Sequence, residues 1–377
     1  MANISVKPVT DKQGLNDFLE VPHVVHANDP HWVAPLFLER KDHLDPKKNP
    51  FFQHAEAQLF VAYRDSKPVG RISAQDDRLR LEIHKDNKGM FGFLDAVDEP
   101  DVFAALTSAA SGWLQARGRS GMLGPFSFSI NEEMGLLIDG FDTPPNMMMP
   151  HGTRYAASRL EELAFTKAKD VIAYHYEFAG QPALLKKMRS RIALNRDIEV
   201  RTINLKDMKN EIRLIREIFN DAWSANWGFV PWTEAELDKL GNDLKLLVNN
   251  NYGYISSYKG EPAAFVVTLP NLNEYIAGMN GRLLPFNWAK LAASVLRKKP
   301  SSYRMPLMGV RRKFHNTLIG SALATLAIDE ARAYHQSRGG KSAELSWILE
   351  DNLPVRKLIE TFGPTPYKTY RIYEKNF

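Results

Sequence analysis

Residues Tyr303 to Gly339 read YRMPLMGVRRKFHNTLIGSALATLAIDEARAYHQSRG, and no other segment of the chain says more about its architecture. It begins with an apolar, strand-like run (303–310), continues with a basic loop, and ends in a long segment of helical periodicity (316–339). A strand, a short loop and an amphipathic helix in this order predict one unit of an α/β sheet protein.

The elements around this stretch occur in the same order in both halves of the chain. In the second half these are a helix at 208–222, a hairpin at 253–269, strands at 341–349 and 367–375, and a helix at 354–362. In the first half they are the strands 59–64 and 69–75, the apolar runs 90–96 and 121–130, the helices 100–118 and 153–165, and the strand 169–178. Ala116-Arg117-Gly118 corresponds to Ser337-Arg338-Gly339. This order indicates an internal repeat.

We therefore expect an α/β protein with two repeated domains, each a mixed, mostly antiparallel sheet flanked by helices. The predicted domains are residues 1–179 and 198–377, joined by a helical connector at 180–197. The length of 377 residues is compatible with two such domains.

Composition excludes several classes of protein. The chain has no cysteine, so it has no disulfides, no thiolate metal site and no cysteine nucleophile. His23, His26 and His31 fit no standard zinc spacing, and we expect no metal. The net charge of +5 is a small difference between 49 basic and 44 acidic residues, and we expect no nucleic-acid partner. No apolar run is long enough to span a bilayer and no secretion signal is evident, so we expect a cytoplasmic protein.

Each half resembles the acyltransferase fold of the GNAT superfamily, and the whole chain resembles a tandem GNAT protein over residues 55–377. DPHWVAP (29–35), LDPKKNPFF (44–52) and GFDTPPNMMMP (140–150) resemble a group of bacterial GNAT-like proteins, some of them acyl-CoA-dependent ceramide synthases. The resemblance implies an acyl-CoA-dependent N-acyltransferase whose acceptor is an amine, including a long-chain lipid amine such as a sphingoid base. The alternative is a non-catalytic GNAT-fold binding or scaffold protein.

The resemblance also implies where coenzyme A, or acyl-CoA as co-substrate, binds. In this superfamily a strand and the following helix N-terminus hold the pyrophosphate. His315, Leu318 and Gly320 occupy the positions of the usual Arg/Gln, Gly and Gly/Ala, so the pattern is degenerate, and basic side chains are expected to compensate. Asn352 either contacts the pantetheine arm or caps a helix. The first half has an acidic segment (97–101) at the equivalent place, so we expect no phosphate loop there. The remaining predicted cofactor residues are Met308, Gly309, Val310, Arg311, Arg312, Lys313, Asn316, Ile319 and Ser321.

Acyl transfer to an amine needs a base, an oxyanion donor and an acid for the thiolate. Glu132 and Glu133 are adjacent carboxylates, and either one of them has a raised pKa and acts as the base or both form a solvated pair. His151 is a second candidate base, with a structural role as the alternative. Tyr370 is a candidate acid. A backbone N–H near Met308 or Val310 is the predicted oxyanion donor.

Apolar segments predict a hydrophobic acceptor site. Asn226, Trp227 and Phe229 form an aromatic loop, and Met147 and Met149 supply flexible apolar surface, so we expect these residues to line the pocket. The segment 283–299 is apolar at its start and basic at its end. It either lies peripherally on the inner membrane surface or packs on the sheet.

Overall fold

The computed structural model describes residues 4–179, 189–190, 192, 195–245, 247–297 and 300–377. The chain forms two compact units, one of Met1–Val171, Ile276–Asn287 and Lys368–Phe377, the other of Ile172–Tyr275 and Trp288–Tyr367. The predicted domains are continuous in sequence, whereas each of these units is assembled from separate segments. The predicted connector at 180–197 lies largely outside the described residues.

The first unit is an antiparallel sheet with one parallel step. Strands β1 to β4 pair antiparallel in chain order, and β4 pairs parallel with β5 over Lys88–Met90. Its strands are β1 (Ile4–Pro8), β2 (Ala55–Arg64), β3 (Lys67–Asp77), β4 (Lys88–Ala96), β5 (Gly121–Gly124), β6 (Phe126–Ser127), β7 (Glu133–Met134) and β8 (Leu136–Asp139). Its helices are α1 (Lys12–Val25), α2 (Phe37–Leu44), α3 (Arg78–His84), α4 (Pro100–Gln115) and α5 (Ala156–Glu162).

The second unit repeats this topology. Strands β10 to β13 pair antiparallel in chain order, and β13 pairs parallel with β14. Its strands are β10 (Ile198–Thr202), β11 (Gly253–Tyr258), β12 (Glu261–Pro270), β13 (Ser302–Val310) and β14 (Ser342–Leu349). The helices that lie in it or at its boundary are α6 (Met208–Trp223), α7 (Glu234–Leu244), α8 (Asn273–Ile276), α9 (Asn287–Arg297), α10 (Leu318–Ser337) and α11 (Leu353–Thr361). Two strands, β9 (Thr166–Glu177) and β15 (Thr365–Asn376), are divided between the units.

Each unit buries one long helix against its sheet. In α4, Val102, Leu106, Ala110 and Leu114 recur every fourth residue and are fully buried, so one face of the helix packs on β3. In α10, the corresponding face places Ala327 and Ala331 against Val266 and Tyr303. The prediction of two repeated α/β domains is confirmed.

The predicted equivalence of the two helix ends also holds in three dimensions. Gly118 follows α4 with a φ of 75°, and Gly339 follows α10 with a φ of 93°. Both values lie in the left-handed region, where a side chain is strained and glycine is favoured. The repeated Arg-Gly pairs are therefore matching helix stops.

Candidate functional site

The edge of β13 in the second unit carries backbone groups that face away from β12. Arg311 N donates to Ala263 O on β12 at 2.8 Å, and because successive strand residues alternate, Val310 and Met308 point the other way. Their carbonyls accept from His315 Nε2 at 2.7 Å and from Trp223 Nε1 at 2.9 Å, respectively. The pairing of β13 with β14 covers Ser302–Met305, and 306–310 continues beyond it. The N–H groups of Met308 and Val310 thus lie on the strand edge where the sequence predicted a backbone donor.

The loop after β13 packs tightly against the start of α10. A Cβ on Gly320 would lie 2.1 Å from the carbonyl oxygen of Phe314, so only glycine fits there. Thr317 Oγ1 caps the helix by accepting from Gly320 N at 3.0 Å, which uses one of the backbone donors available for an anion. Leu318 is 90% exposed, and Asn316 has a φ of 58°. The degenerate positions therefore belong to a well-formed helix start.

The basic residues of this loop all have acidic neighbours. Lys313 Nζ lies 2.6 Å from Glu261, and the side chain of Arg312 lies 3.6 Å from Asp221. Arg311 lies 4.0 Å from Glu217. These pairs are solvent-exposed or partly so, and such pairs contribute little to stability. A pyrophosphate can therefore compete for the three cations, and their role in cofactor binding stays a prediction.

Asn352 has the capping role that the sequence allowed. Its Oδ1 accepts from Val355 N at 3.4 Å at the start of α11, and Pro354 lies in the first turn. Contact with a pantetheine arm stays a prediction. At the equivalent helix start of the first unit, Asp98 pairs with Arg159 at 2.8 Å and Glu99 pairs with Arg64.

The first unit contains a group of four residues in which the two imidazoles are buried and the two carboxylates are partly exposed. It is here called the imidazole–carboxylate cluster and consists of His26, Asp29, Asp95 and His151. His151 Nε2 lies 2.8 Å from Asp29 Oδ2, and His26 Nε2 lies 3.1 Å from Asp95 Oδ1. The two imidazole rings are 6.0 Å apart between centroids. Nδ1 of each ring is buried and has no hydrogen-bond partner among the described residues. Buried nitrogens of this kind are uncommon and indicate a place for water or ligand.

Charges around the cluster set its protonation. Burial lowers the pKa of His151, and the nearby Asp29 only partly offsets this effect, so the imidazole is neutral near neutral pH. Its Nε2–H then donates to Asp29 and its Nδ1 keeps a lone pair. Burial disfavours ionisation of Asp95, yet the Arg71 guanidinium and His26 lower the pKa of its carboxyl to about 2.

The expected raised pKa is not found at Glu133. Glu133 Oε1 lies 2.6 Å from Arg40 Nη2 in a buried pair. Burial disfavours its charged form, but Arg40 holds the pKa of the carboxyl below its usual range. The carboxyl of Glu133 therefore lacks the raised pKa expected of a base, and a catalytic role of the glutamate pair stays a prediction. Glu132 Oε2 lies 3.3 Å from His43 Nε2.

The other predicted site residues fall in different places. Tyr370 is fully buried in β15, opposite Leu137 in the first unit. Met149 is buried and Met147 half-buried, and both belong to the first unit. The half-buried residues Asn226, Trp227 and Phe229 belong to the second unit.

Sequence reasoning missed most of the imidazole–carboxylate cluster. The sequence pattern offers His26 only as a metal ligand, and among the residues that the structure describes no three His, Asp or Glu side chains are placed so that they could hold a metal ion. Asp29, Arg71 and Asp95 were not singled out. The available signal was the density of histidine, aspartate and tryptophan in HVVHANDPHW (23–32), whose partners lie far away in the chain.

The same strand order occurs in both units, and each contains a parallel strand pair that separates after a short register. This arrangement is that of a tandem protein of the GNAT acyltransferase class. Solved structures support this class. A tandem GNAT protein from the clavulanic acid biosynthesis pathway matches with a TM-score of 0.60 and 11% identity over 99% of this chain and 98% of its own. The GCN5-related glucosamine N-acetyltransferase region of a fungal multi-domain GH3 β-N-acetylglucosaminidase matches with a TM-score of 0.61 and 12% identity. This chain spans 38% of the length of that fungal protein.

Curated proteins define the family more narrowly. The chain is 44% identical to a bacterial ceramide synthase of Caulobacter vibrioides over 99% of its length and 98% of that protein. It is 43% identical to Protein YghO of Escherichia coli over 98% of its length and 95% of that protein. No protein-family model matches the chain. The chain belongs to the family that contains these two bacterial proteins, and it is an N-acyltransferase of the tandem GNAT type.

Proposed function

We propose that this protein transfers a long-chain acyl group from acyl-CoA to the amino group of a lipid amine of the sphingoid-base type. The observation that carries the transferase part is the edge of β13, where the N–H groups of Met308 and Val310 face away from β12 beside a basic loop. The lipid acceptor is supported by the 44% identity to a relative named as a ceramide synthase.

The second unit supplies the proposed coenzyme A site. An extended pantetheine arm can accept hydrogen bonds from the N–H groups along this strand edge in the way an added strand does. Arg311, Arg312 and Lys313 provide cations for the pyrophosphate, and guanidinium groups can bind it bidentately. A backbone N–H of Met308 or Val310 stabilises the oxyanion that develops on the thioester carbonyl.

The proposed base is the imidazole of His151. His151 Nδ1 takes a proton from the ammonium group, the neutral amine attacks the thioester carbonyl, and the carbon–sulfur bond breaks to leave coenzyme A thiolate. Asp29 fixes the tautomer in which Nδ1 is the free base. Glu133 instead orients Arg40, while Glu132 and Tyr370 stay predictions from the sequence.

We also propose that the segment 283–299 contacts a lipid surface. In α9, whose residues are all described, no residue is buried, and Leu291, Ser294 and Val295 are half-buried, so most of the helix surface faces solvent. Phe286 and Leu296 are each 79% exposed and Trp288 is 56% exposed. Lys290 and Arg297 add positive charge, whereas residues 298–299 lie outside the described residues. No helix among the described residues is long and apolar enough to span a bilayer.

Thermal unfolding with coenzyme A, acetyl-CoA and palmitoyl-CoA tests cofactor binding, because a ligand of the native state raises its stability. We expect the largest increase with palmitoyl-CoA. Thiol release from palmitoyl-CoA in the presence of a sphingoid base, compared with a short polar amine, then tests transfer. Stabilisation without thiol release would favour the non-catalytic binding protein, and no stabilisation would contradict the cofactor site.

A further inference from the structure

We infer that His26 and His151 act together, each accepting one of the two protons that the acceptor nitrogen must lose. The inference rests on the proposed function and adds His26 to the catalytic residues. An alkylammonium nitrogen carries three hydrogens and the nitrogen of the amide product carries one. Two protons therefore leave the nitrogen, and overall one ends on the coenzyme A thiol and the other in solvent.

The two histidines present the same group to a ligand. Each Nε2 lies against an aspartate oxygen, at 3.1 Å for His26 and 2.8 Å for His151, so each ring donates its Nε2–H and leaves Nδ1 as an acceptor. Both Nδ1 atoms are buried without a partner among the described residues. Two such acceptors 6.0 Å apart by ring centroid suit a ligand that brings several hydrogen-bond donors, as an ammonium group does.

The surroundings hold His26 rigidly in this role. Its ring stacks on Trp32 with centroids 5.2 Å apart and planes 15° apart. Asp95, its partner, is in turn held by Arg71 Nε at 2.8 Å, and the Arg71 guanidinium lies over the ring of Phe18 at 4.9 Å. A carboxylate fixed in this way keeps its charge and can stabilise an imidazolium when His26 takes a proton.

The two aspartates that pair with the histidines differ in their exposure to water. The Asp29 side chain is 28% exposed, whereas that of Asp95 is 14% exposed and bonded to Arg71. The charged groups around the two histidines include Asp29, Asp95, Arg71 and Lys368. Because these groups include both signs, the cluster can take up a proton without an unpaired buried charge.

The test compares two substrates that accept the acyl group, one whose nitrogen must lose two protons and one whose nitrogen must lose only one. His26→Gln and His151→Gln keep an amide N–H toward the aspartate but remove the free ring nitrogen. With an ordinary long-chain amine, protonated at pH 7, we expect each variant to lower kcat at least about 100-fold while palmitoyl-CoA still stabilises the fold. With a long-chain O-alkylhydroxylamine, whose amino group is neutral at pH 7 and loses only one proton, the deficit of each single variant shrinks to less than about tenfold, and the double variant stays inactive.

His54→Asn is the matched control, since His54 Nδ1 contacts Asp77 at 2.8 Å in another histidine–aspartate pair of the same unit. It should leave the ratio of rates for the two amines unchanged. Equal deficits of His26→Gln for both amines, or full activity, would overturn the inference. No thiol release by the wild type with either amine would instead refute the proposed function.

A spectroscopic measurement covers the case in which His26→Gln does not fold. In ¹⁵N-histidine-labelled wild-type protein, two of the ten imidazoles should show a free Nδ1 whose signal moves when the amine is added. His151→Gln removes one of the two signals and so assigns the other to His26. A His26 signal that does not respond to the amine would overturn the inference.

Discussion

His151 Nε2 lies 2.8 Å from Asp29 Oδ2, although the two residues are 122 positions apart in the chain. The carboxylate fixes which ring nitrogen carries the proton, and the free nitrogen of the ring is buried. This pairing converts a lone histidine after a methionine run into a candidate base with a defined tautomer.

Substituting Asp29 by Ala should lower kcat about 10- to 100-fold, because the imidazole loses the group that orients it. Affinity for palmitoyl-CoA should not change, since Asp29 is not among the proposed cofactor residues. Thiol release and thermal shift measure the two quantities. The control is Asp142→Ala, whose carboxylate pairs with Arg154 on the surface. Equal kcat in both variants would remove His151 from the mechanism.

Substituting Glu133 by Gln should mainly reduce stability, because it leaves Arg40 without its buried partner. Breaking a buried pair costs about 3 kcal/mol in the free energy of unfolding, measurable by urea titration. Glu39→Gln is a matched control, since Glu39 contacts the same arginine at 2.6 Å but is 50% exposed. It should cost less than about 1 kcal/mol. An unchanged unfolding free energy with a large loss of kcat would restore Glu133 as the base.

Replacing both Arg311 and Arg312 by Ala should weaken coenzyme A binding about tenfold or more, because two cations near the pyrophosphate are lost. The loss should shrink at high salt, since exposed charges are screened. Isothermal titration at two salt concentrations measures it. Arg216→Ala serves as control, as this arginine lies 3.9 Å from Glu234 outside the loop. Unchanged affinity in the double variant would place the cofactor elsewhere.

Phe286→Ser combined with Trp288→Ser should abolish co-flotation with vesicles that contain anionic lipid. Both side chains are exposed and each offers apolar area to the interface, with Lys290 and Arg297 adding attraction. Leu38→Ser removes an exposed leucine from α2 and should float like the wild type. Wild-type protein that stays unbound, or that dimerises through this segment in sedimentation analysis, would contradict a lipid contact.

Acid should destabilise the second unit through His335. Burial lowers the pKa of this imidazole to about 3 from 6.5 in the unfolded chain. The unfolded state therefore binds the proton first, so the stabilisation is complete above pH 6.5 and is lost as the pH falls toward 3. Between pH 6.5 and 5 we expect a loss of about 2 kcal/mol in the free energy of unfolding.

His335→Phe keeps a ring against Tyr303, which stacks on His335 at 3.8 Å, but cannot be protonated. Urea titrations at pH 7.5 and pH 5 compare the variant with the wild type. The variant should lose less stability on acidification than the wild type. An equal loss of unfolding free energy between pH 7.5 and pH 5 in both proteins would assign the acid sensitivity to another group.

The sequence predicted the repeated elements because their signals are local. The alternation in β2 and β3, the fourfold spacing in α4 and the Arg-Gly helix stops can be read within a few residues. It missed the short strands β1 (Ile4–Pro8) and β10 (Ile198–Thr202), each paired with one neighbour (β2 and β11, respectively), because a short, half-exposed strand has little apolar pattern.

Part of the candidate site could likewise be predicted from the sequence, and part of it could not. Residue chemistry alone pointed to His151, to the two adjacent glutamates and to the basic loop after β13. The sequence did not show that Arg40, 93 positions from Glu133, would lower the pKa of its carboxyl, nor that Asp95 would meet His26 across 69 positions. Periodicity and residue type determine elements and candidate groups, whereas the partner of a buried charge is chosen by the packing of distant strands and loops. Only the tertiary structure therefore decided which groups hold their protons and which nitrogens are left to receive one.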